Sequence, residues 1–202
     1  MTKPLPRTSV PFSEPADQLG CVVPDLGAAI SEWVAKGVGP FLTLPGVTLD
    51  CSYRGRKSKP KIGVAFSQQG DLQIELIQPL NDEPSTYRDF LAAGGNGPHH
   101  HGWFCQDYAA ATADAARAGR VELQRSGEGA SQFVYYEPRN SSEMIGELVK
   151  LSEVNRLINA VVRREANQWD GTRPSRSLLR VTDWRTRWSA AKLLVCTLLG
   201  QS

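Results

Sequence analysis

The chain has 202 residues, 41% of them hydrophobic, and a formal net charge of +2. This length allows a sizeable core in one or two compact domains. The charge is unevenly spread: residues 1–150 hold 14 Lys and Arg against 17 Asp and Glu, whereas residues 151–202 hold 9 against 4. The last quarter of the chain therefore presents a basic surface unlike the rest.

The cysteines and the apolar segments bear on the cellular compartment. The four cysteines form no CxxC pair and no zinc spacing, so we expect reduced and mostly buried thiols. The first residues lack the apolar core of a signal peptide, and the apolar stretch at 190–200 is too short to span a bilayer. These features predict a soluble, cytoplasmic protein.

The first predicted elements follow an irregular arm of residues 1–16, which contains four prolines. A strand is expected at 18–23 and a helix at 25–36, followed by strands at 47–54, 61–68 and 72–78. Residues 17–80 thus form a first module with the order strand, helix and three strands. A basic turn is expected at 54–61.

A second module with the same order follows a connector at 81–97, which holds a short helix near 85–93. The module itself spans residues 98–151. Its elements are expected to be a strand at 100–105, a helix at 107–118, and strands near 121–125, 131–137 and 145–151. The remainder, 152–202, is a basic, Trp-containing extension with predicted helices at 152–168 and 188–199.

An internal repeat links the two modules. A shift of 82 residues places Gly20 on Gly102, Asp25 on Asp107 and Gly37 on Gly119. In each copy the Asp can cap the N-terminus of the helix and the last Gly can end it. A fixed-period repeat of this kind describes a whole fold and indicates a duplication.

The polar residues on otherwise apolar strands are the candidates for chemistry. They are Gln18, Glu75, His100 and Glu147. All three histidines of the chain are consecutive, and strand alternation places His100 on one face and His99 and His101, with Trp103, on the other. We therefore expect His99 and His101 to be structural or surface residues.

The chemistry of this set suits a divalent metal ion. A carboxylate buried alone is costly, so Glu75 and Glu147 require solvent, a partner or a cation. One imidazole nitrogen and two carboxylate oxygens match Mn²⁺, Fe²⁺, Co²⁺ or Zn²⁺, with the amide oxygen of Gln18 as a weak fourth ligand. The metal-free alternative uses Glu75, Glu147 and His100 as general acid and base.

Four segments resemble the vicinal oxygen chelate superfamily, whose members include glyoxalases, bleomycin resistance proteins and dioxygenases. The similarity is greatest to methylmalonyl-CoA epimerase-like proteins and covers roughly residues 17–150. The segments that carry it are DQLGCVVPD at 17–25, ELIQPLNDE at 75–83, GPHHHGW at 97–103 and IGEL at 145–148.

The resemblance implies a fold and a ligand set. The fold is α+β, with two tandem βαβββ modules forming a curved mixed sheet around a cleft, plus the C-terminal helical extension. The implied metal ligands are Gln18, Glu75, His100 and Glu147, for Mn, Co, Fe, Zn or Ni. The epimerases have His where this chain has Gln18, and a third-strand carboxylate where it has Gly63 or a neighbour.

The implied activity is proton transfer next to a carbonyl, by an isomerase, epimerase or lyase. Glu75, Glu147 and His100 are the candidate catalytic residues. Aromatic side chains on the strands predict a fairly apolar small-molecule substrate, such as an acyl thioester or a cyclic ketone. The candidate substrate-binding residues are Tyr53, Phe66, Trp103, Phe133 and Tyr135.

Two other functions fit the sequence. One is a non-catalytic, resistance-type protein that sequesters a ligand, because Gln18 replaces a metal-binding His. The other, ranked lower, is an extradiol-type dioxygenase, which usually needs two His and one Glu. The basic tail lacks a nucleic-acid-binding motif, so neither nucleic acid nor a membrane is the expected partner. Pairing into a homodimer is left open.

Overall fold

The computed structural model describes residues 11–127 and 131–181. A short 3₁₀ turn, Pro11–Ser13, leads into the first half of the fold. The elements of this half are β1 (Gln18–Val22), α1 (Leu26–Ala35), β2 (Phe41–Thr48), β3 (Cys51–Tyr53), β4 (Arg56–Ser58), β5 (Lys61–Gln69) and β6 (Leu72–Pro79).

The second half begins after a short connecting helix. Its elements are α2 (Thr86–Ala92), β7 (Gly97–Cys105), α3 (Tyr108–Arg117), β8 (Glu122–Ser126), β9 (Phe133–Tyr136), β10 (Ile145–Lys150), α4 (Glu153–Asn167), β11 (Ser175–Ser177) and α5 (Leu178–Val181).

The repeat-related residues begin and end the corresponding helices. The carboxylates of Asp25 and Asp107 accept hydrogen bonds from the amides of Ala28, at 2.8 Å, and Ala110, at 2.9 Å. These contacts satisfy amide groups that a helix N-terminus otherwise leaves unpaired. Beyond the C-termini, Gly37 and Gly119 adopt φ angles of 84° and 69°, which glycine reaches without steric cost.

The described strands form one mixed sheet, ordered β11-β2-β5-β6-β1-β7-β10-β9-β8-β3-β4. Each module contributes the same four-strand arrangement, β2-β5-β6-β1 in the first and β8-β9-β10-β7 in the second. The first strands of the modules, β1 and β7, pair antiparallel and join the two halves. The sheet therefore has an approximate internal symmetry with β1 and β7 at its centre.

The chain connection between β2 and β3 shows that this sheet is curved. β2 lies in the first-module half, whereas β3 pairs with β8 at the far side of the second module. Only Leu49 and Asp50 separate Thr48 from Cys51, and three residue steps span at most about 10 Å. The two ends of the sheet must approach one another, so the sheet encloses a cleft, and the predicted α+β fold with a curved sheet is confirmed.

Helices pack on both faces of the sheet. α1 buries Ala29 and Ile30 against Ile74 on the outer face of the first module, and α3 buries Ala115 on the outer face of the second. On the inner face, α2, α4 and α5 share one apolar cluster with the strands. The buried residues that they contribute to this cluster are Tyr87, Val154, Val161, Val162 and Leu178.

The described part of the C-terminal extension, residues 152–181, is thus part of the core. Beyond α4, β11 pairs in parallel with β2 and covers that edge of the sheet. The ion pair between Arg176 and Glu165, 2.7 Å long, ties β11 to α4. Within the described ranges, no helix is both long and apolar enough to cross a membrane.

Two sequence-based assignments were wrong, and one strand was missed. The strand expected at 47–54 is two strands, because β2 begins at Phe41 and ends at Thr48. Residues 54–61 are not simply a turn, since they include β4. β11 was not predicted. The helix expected at 188–199 lies outside the described residues.

Candidate active site

Two rows of side chains cross the inner face of the sheet at its centre. Residues opposite each other on paired strands share a face. In the first row Gly20 of β1 lies opposite Glu75 of β6 and opposite His100 of β7. The second row contains one residue from each of seven successive strands: Gln73, Gln18, Gly102, Glu147, Tyr135, Gln124 and Tyr53.

Glycines at the centre of both rows make room for the site. A Cβ atom on Gly20 would lie 1.8 Å from Cε1 of His100, so the imidazole ring lies directly over this residue. A Cβ atom on Gly102 would lie 2.8 Å from Oε1 of Gln18 and 3.2 Å from Oε2 of Glu147. The repeat-related pair of glycines thus allows polar groups to approach the backbone of β1 and β7.

Three of the four predicted ligands converge in this space. Nε2 of His100 lies 3.1 Å from Oε2 of Glu147 and 3.5 Å from Oε2 of Glu75. One ligand atom from each residue lies within 4.8 Å of the other two. The His100 side chain is fully buried, and those of Glu147 and Glu75 are 5% and 13% exposed. The structure therefore brings together the imidazole and both carboxylates.

The fourth predicted ligand, Gln18, reaches the same space through its amide oxygen. Three atoms there are buried without an aligned hydrogen-bond partner in the described part of the chain: Gln18 Oε1, His100 Nε2 and Glu147 Oε2. The last two are within ion-pair distance but are not aligned for a hydrogen bond. Unsatisfied polar atoms are rare in protein interiors, and their convergence indicates a site for a cation or a polar ligand group.

The electrostatics of the site follow from burial and from the two carboxylates. Burial lowers the pKa of His100, but the negative charges of Glu147 and Glu75 outweigh it and raise that pKa to about 9. Burial raises the pKa of the Glu75 carboxyl, and the charge of Glu147 adds to this effect, although His100 opposes it. Without a metal, the imidazolium and the carboxylates therefore stabilise one another.

His99 lies on the same side of the sheet as His100, so the predicted alternation was wrong here. The register between β1 and β7 places Gly20 opposite His100 but Cys21 opposite Pro98, which leaves His99 as the extra residue of a β-bulge. A bulge interrupts the alternation of side chains. Nδ1 of His99 consequently lies 2.9 Å from Nδ1 of His100, whereas His101 faces the opposite side, beside Trp103.

The bulge connects the site to the N-terminus of α2. Nε2 of His99 lies 3.1 Å from Oγ1 of Thr86. Burial and the charge of His100 lower the pKa of His99 well below its usual value, so this ring is neutral. A neutral His99 accepts a hydrogen bond from His100 Nδ1–H and donates one from Nε2–H to Thr86. Nε2 of His100 is thereby directed toward Glu147 and Glu75.

Four of the five predicted aromatic residues belong to the cleft-facing cluster, namely Tyr53, Phe66, Phe133 and Tyr135. The Tyr135 ring lies 4.9 Å from the His100 ring. Trp103 does not line the cleft, because the alternation of β7 places it on the outer face. There its ring packs edge-on against Phe12, and its indole N–H donates to the carbonyl of Glu14. Trp103 therefore anchors the N-terminal segment.

The sequence interpretation missed three residues that support the site: Gln73, Thr86 and His99. The spacing of Gln73 and Glu75, two residues apart on one strand, could have placed both on the same face. Thr86 and His99 had no such signal, because neither a bulge nor the position of α2 follows from a local pattern.

Comparisons with known proteins agree with this fold. Residues 17–136 match the profile of the Glyoxalase/Bleomycin resistance protein/Dioxygenase superfamily. The uncharacterized protein YqjC of Bacillus subtilis (strain 168) is 29% identical over 91 residues, which is 44% of this chain and 64% of that relative. The part of YqjC that matches is therefore slightly less than two thirds.

Solved structures of epimerases are similar to the chain at low identity. A methylmalonyl-CoA epimerase from Mycobacterium tuberculosis superposes with a TM-score of 0.50 at 20% identity, over 76% of this chain and 97% of that one. One from Streptomyces coelicolor, in complex with 2-nitronate-propionyl-CoA, gives a TM-score of 0.48 at 22% identity, over 68% and 96%. Because the family profile matches more than half of the chain, the protein belongs to the glyoxalase/bleomycin resistance protein/dioxygenase superfamily.

Proposed function

We propose that the protein is a metal-dependent isomerase, epimerase or lyase that moves a proton on a carbon next to a carbonyl. The observation that carries this proposal is the convergence of His100, Glu75 and Glu147, whose ligand atoms all lie within 4.8 Å of one another. Family membership adds the expectation of a small-molecule substrate in the cleft between the modules.

The donor set fits a divalent transition-metal ion. One imidazole nitrogen with carboxylate and amide oxygens suits Mn²⁺, Fe²⁺, Co²⁺, Ni²⁺ or Zn²⁺. The buried oxygen of Gln18, which has no hydrogen-bond partner in the described part of the chain, and the His100–Glu147 pair, which is not aligned for a hydrogen bond, point to the same requirement. A metal must displace the proton on Nε2 of His100, so its affinity should increase as the pH rises.

Glu75 is the better candidate for the base. It is the more exposed of the two carboxylates and the more distant from Nε2 of His100, and its raised pKa makes it a stronger proton acceptor than an ordinary carboxylate. A divalent ion in the site would polarise the substrate carbonyl and make the proton on the adjacent carbon more acidic. Glu75 would accept that proton, while His100, Glu147 and Gln18 would hold the ion. In an isomerisation Glu75 would donate the proton back to the product, whereas an epimerisation would need a second donor on the opposite face of the substrate carbon.

The cleft lining supports an apolar substrate close to this base. Phe66 lies directly opposite Glu75 across β5 and β6, and Tyr135 lies directly opposite Glu147 across β9 and β10. β5, the third of the four sheet strands in its module, carries no acidic residue. A second proton-transfer carboxylate of the kind expected for methylmalonyl-CoA epimerisation is thus absent from β5, which favours a different carbonyl substrate.

A ligand-sequestering function remains the second candidate. It is favoured by Gln18, which occupies the position where the epimerase pattern has a metal-binding His, so that a metal would be held more weakly. Ligand binding without product formation, unaffected by a chelator, would support it. The extradiol alternative gains no support, because the nearest second imidazole, His99, already has both nitrogens in contact with His100 and Thr86.

Elemental analysis of purified, untagged protein tests the metal site. We expect about one divalent ion per chain in the wild type, loss of the ion in His100→Ala, and retention in His101→Ala. The last variant is a matched control, because its imidazole faces the other side of the sheet. Absence of metal from the wild type, even after reloading, would overturn the metal-dependent mechanism.

Deuterium exchange tests the reaction itself. Acyl thioesters and cyclic ketones would be incubated in D₂O, and exchange next to the carbonyl would be followed by NMR. We expect Glu75→Gln to reduce the exchange rate by roughly 100-fold or more. An exchange rate unchanged by the double substitution Glu75→Ala, His100→Ala would contradict the assignment.

A further inference from the structure

Helix α4 joins the site through a chain of amide side chains. Gln18 Nε2 donates a hydrogen bond to Gln73 Oε1 at 2.7 Å. Gln73 Nε2 in turn donates to Asn159 Oδ1 of α4 at 3.0 Å. Gln18 and Gln73 are 4% and 3% exposed, so both amides lie in the interior. A residue of the C-terminal extension is therefore two hydrogen bonds away from a candidate metal ligand.

The direction of this chain determines which end of the Gln18 amide faces the site. A carboxamide donates through its nitrogen and accepts through its oxygen. Because Asn159 presents an oxygen, Gln73 turns its nitrogen toward Asn159 and its oxygen toward Gln18. Gln18 must then use its nitrogen for Gln73, and its oxygen is directed at the space beside Glu147 and Gly102.

The opposite orientation of the Gln18 amide would have a different consequence. Its NH₂ group would point into the site and donate to the neighbouring carboxylate, where it would compete with a cation. In the observed orientation, Gln18 Oε1 is a buried acceptor without a hydrogen-bond partner in the described ranges. An orphaned acceptor of this kind costs free energy, and a bound cation would remove that cost.

We infer that Asn159 is a positioning residue for metal binding. Through Gln73 it fixes the Gln18 amide so that the oxygen is a ligand of the ion, beside His100 and Glu147. This inference rests on the proposed metal-dependent function. It assigns a role to α4, which completes the metal site as well as packing on the inner face of the sheet.

Titration of the metal-free protein with Mn²⁺ and Co²⁺ tests this role. Asn159→Ala removes the acceptor at the end of the chain. We expect the dissociation constant for the metal to rise by roughly 10-fold, a typical effect of losing a partner of a metal ligand, and the Co²⁺ absorption bands to change. Asn155→Ala is the matched control, because Asn155 donates a hydrogen bond from α4 to the carbonyl of Lys150 and does not touch Gln73.

Two further variants separate positioning from a general loss of structure. Asn159→Asp keeps an acceptor oxygen and should restore most of the metal affinity. In a Gln18→Ala background, Asn159→Ala should cause no additional loss, since additivity fails for residues that act through one another. An equal loss in both backgrounds, or wild-type affinity in Asn159→Ala, would overturn the inference and leave the metal site itself intact. A wild type that binds neither ion would overturn both proposals.

Discussion

The absence of a side chain at position 20 determines how closely His100 can approach β1. A Cβ atom there would overlap the imidazole ring, whose nearest atom would be 1.8 Å away. We expect Gly20→Ala to displace the ring, to destabilise the fold by about 1–3 kcal/mol and to abolish metal binding. Urea unfolding and metal titration measure the two effects.

Gly27→Ala provides the control for this substitution. Gly27 lies in the first turn of α1. The atom closest to a Cβ atom added there would be Oδ1 of Asp25, at 3.4 Å. Alanine should be neutral or stabilising there, by about 0.5–1 kcal/mol. If both variants bound metal as the wild type does, the position of the His100 ring over Gly20 would not be required for metal binding.

The raised pKa of His100 predicts how stability depends on pH when the metal is removed. The pKa is about 9 in the folded protein, against an ordinary value of 6.5. Between pH 6.5 and about 9, the folded state therefore keeps a proton on His100 that the unfolded chain has lost. The resulting stabilisation is complete below pH 6.5 and is lost as the pH rises through 9. Urea unfolding in the presence of a chelator at several pH values should show this decline.

Replacement of the imidazole tests the origin of the pH effect. His100→Asn should flatten the decline between pH 6.5 and 9, because the titrating group is gone. The lowered pKa of His99 has the opposite effect on stability. Below pH 6.5 the unfolded chain takes up a proton that the folded His99 does not, so the folded state loses stability as the pH falls. A decline of equal slope in the His100→Asn variant would assign the effect to other groups.

At the level of residues, the sequence was informative where a polar side chain interrupts an apolar strand. Glu75, His100 and Glu147 became candidates on that basis, and the internal repeat together with the family resemblance implied that they share one site. His99 could not be assigned to this site, since a single bulge reverses its face and no local pattern reveals it. Trp103 was wrongly predicted to bind substrate, although strand alternation places it, three residues after His100, on the opposite face of β7.

Helix α4 offers a prediction at the level of secondary-structure elements. Val162 is 1% exposed and packs in the cleft cluster together with strands of the first module. We expect Val162→Ala to lower the free energy of unfolding by roughly 2–3 kcal/mol, from lost burial and a residual cavity. Arg163, one residue further along, is half-exposed and pairs with a fully exposed Asp71.

Arg163→Ala is accordingly the matched control and should cost less than about 1 kcal/mol. Chemical unfolding of both variants gives the comparison. Equal effects would mean that α4 rests on the sheet only loosely. The helix predicted at 152–168 is confirmed as α4, but the sequence could not identify the surface that receives it, because that surface is assembled from distant strands.

The strands missed by sequence analysis have identifiable causes. In β2, Pro45 and Gly46 interrupt the alternation, and the register against β5 shifts at this position. The three residues of β11 are Ser175, Arg176 and Ser177, which carry no apolar signal. Its strand conformation depends on the free edge of β2, which is a property of the assembled sheet.

For the molecule as a whole, the strand order predicts one cooperative folding unit. β1 and β7 pair at the centre, and β3 of the first module pairs with β8 of the second. Neither module can keep its edges paired if the other unfolds. Trp33 on α1 and Trp103 on β7 report on the two modules separately, since each packs in a different core cluster.

Variants that retain only Trp33 or only Trp103, with the other tryptophans replaced by Phe, would be unfolded in urea. The two fluorescence transitions and the far-UV circular dichroism transition should have the same midpoint and slope, as expected for two-state unfolding. A Trp33 transition that precedes the Trp103 transition, or follows it, would show that the modules unfold independently. The shared sheet and the pairing of β3 with β8 would then contribute little to the coupling between the two modules.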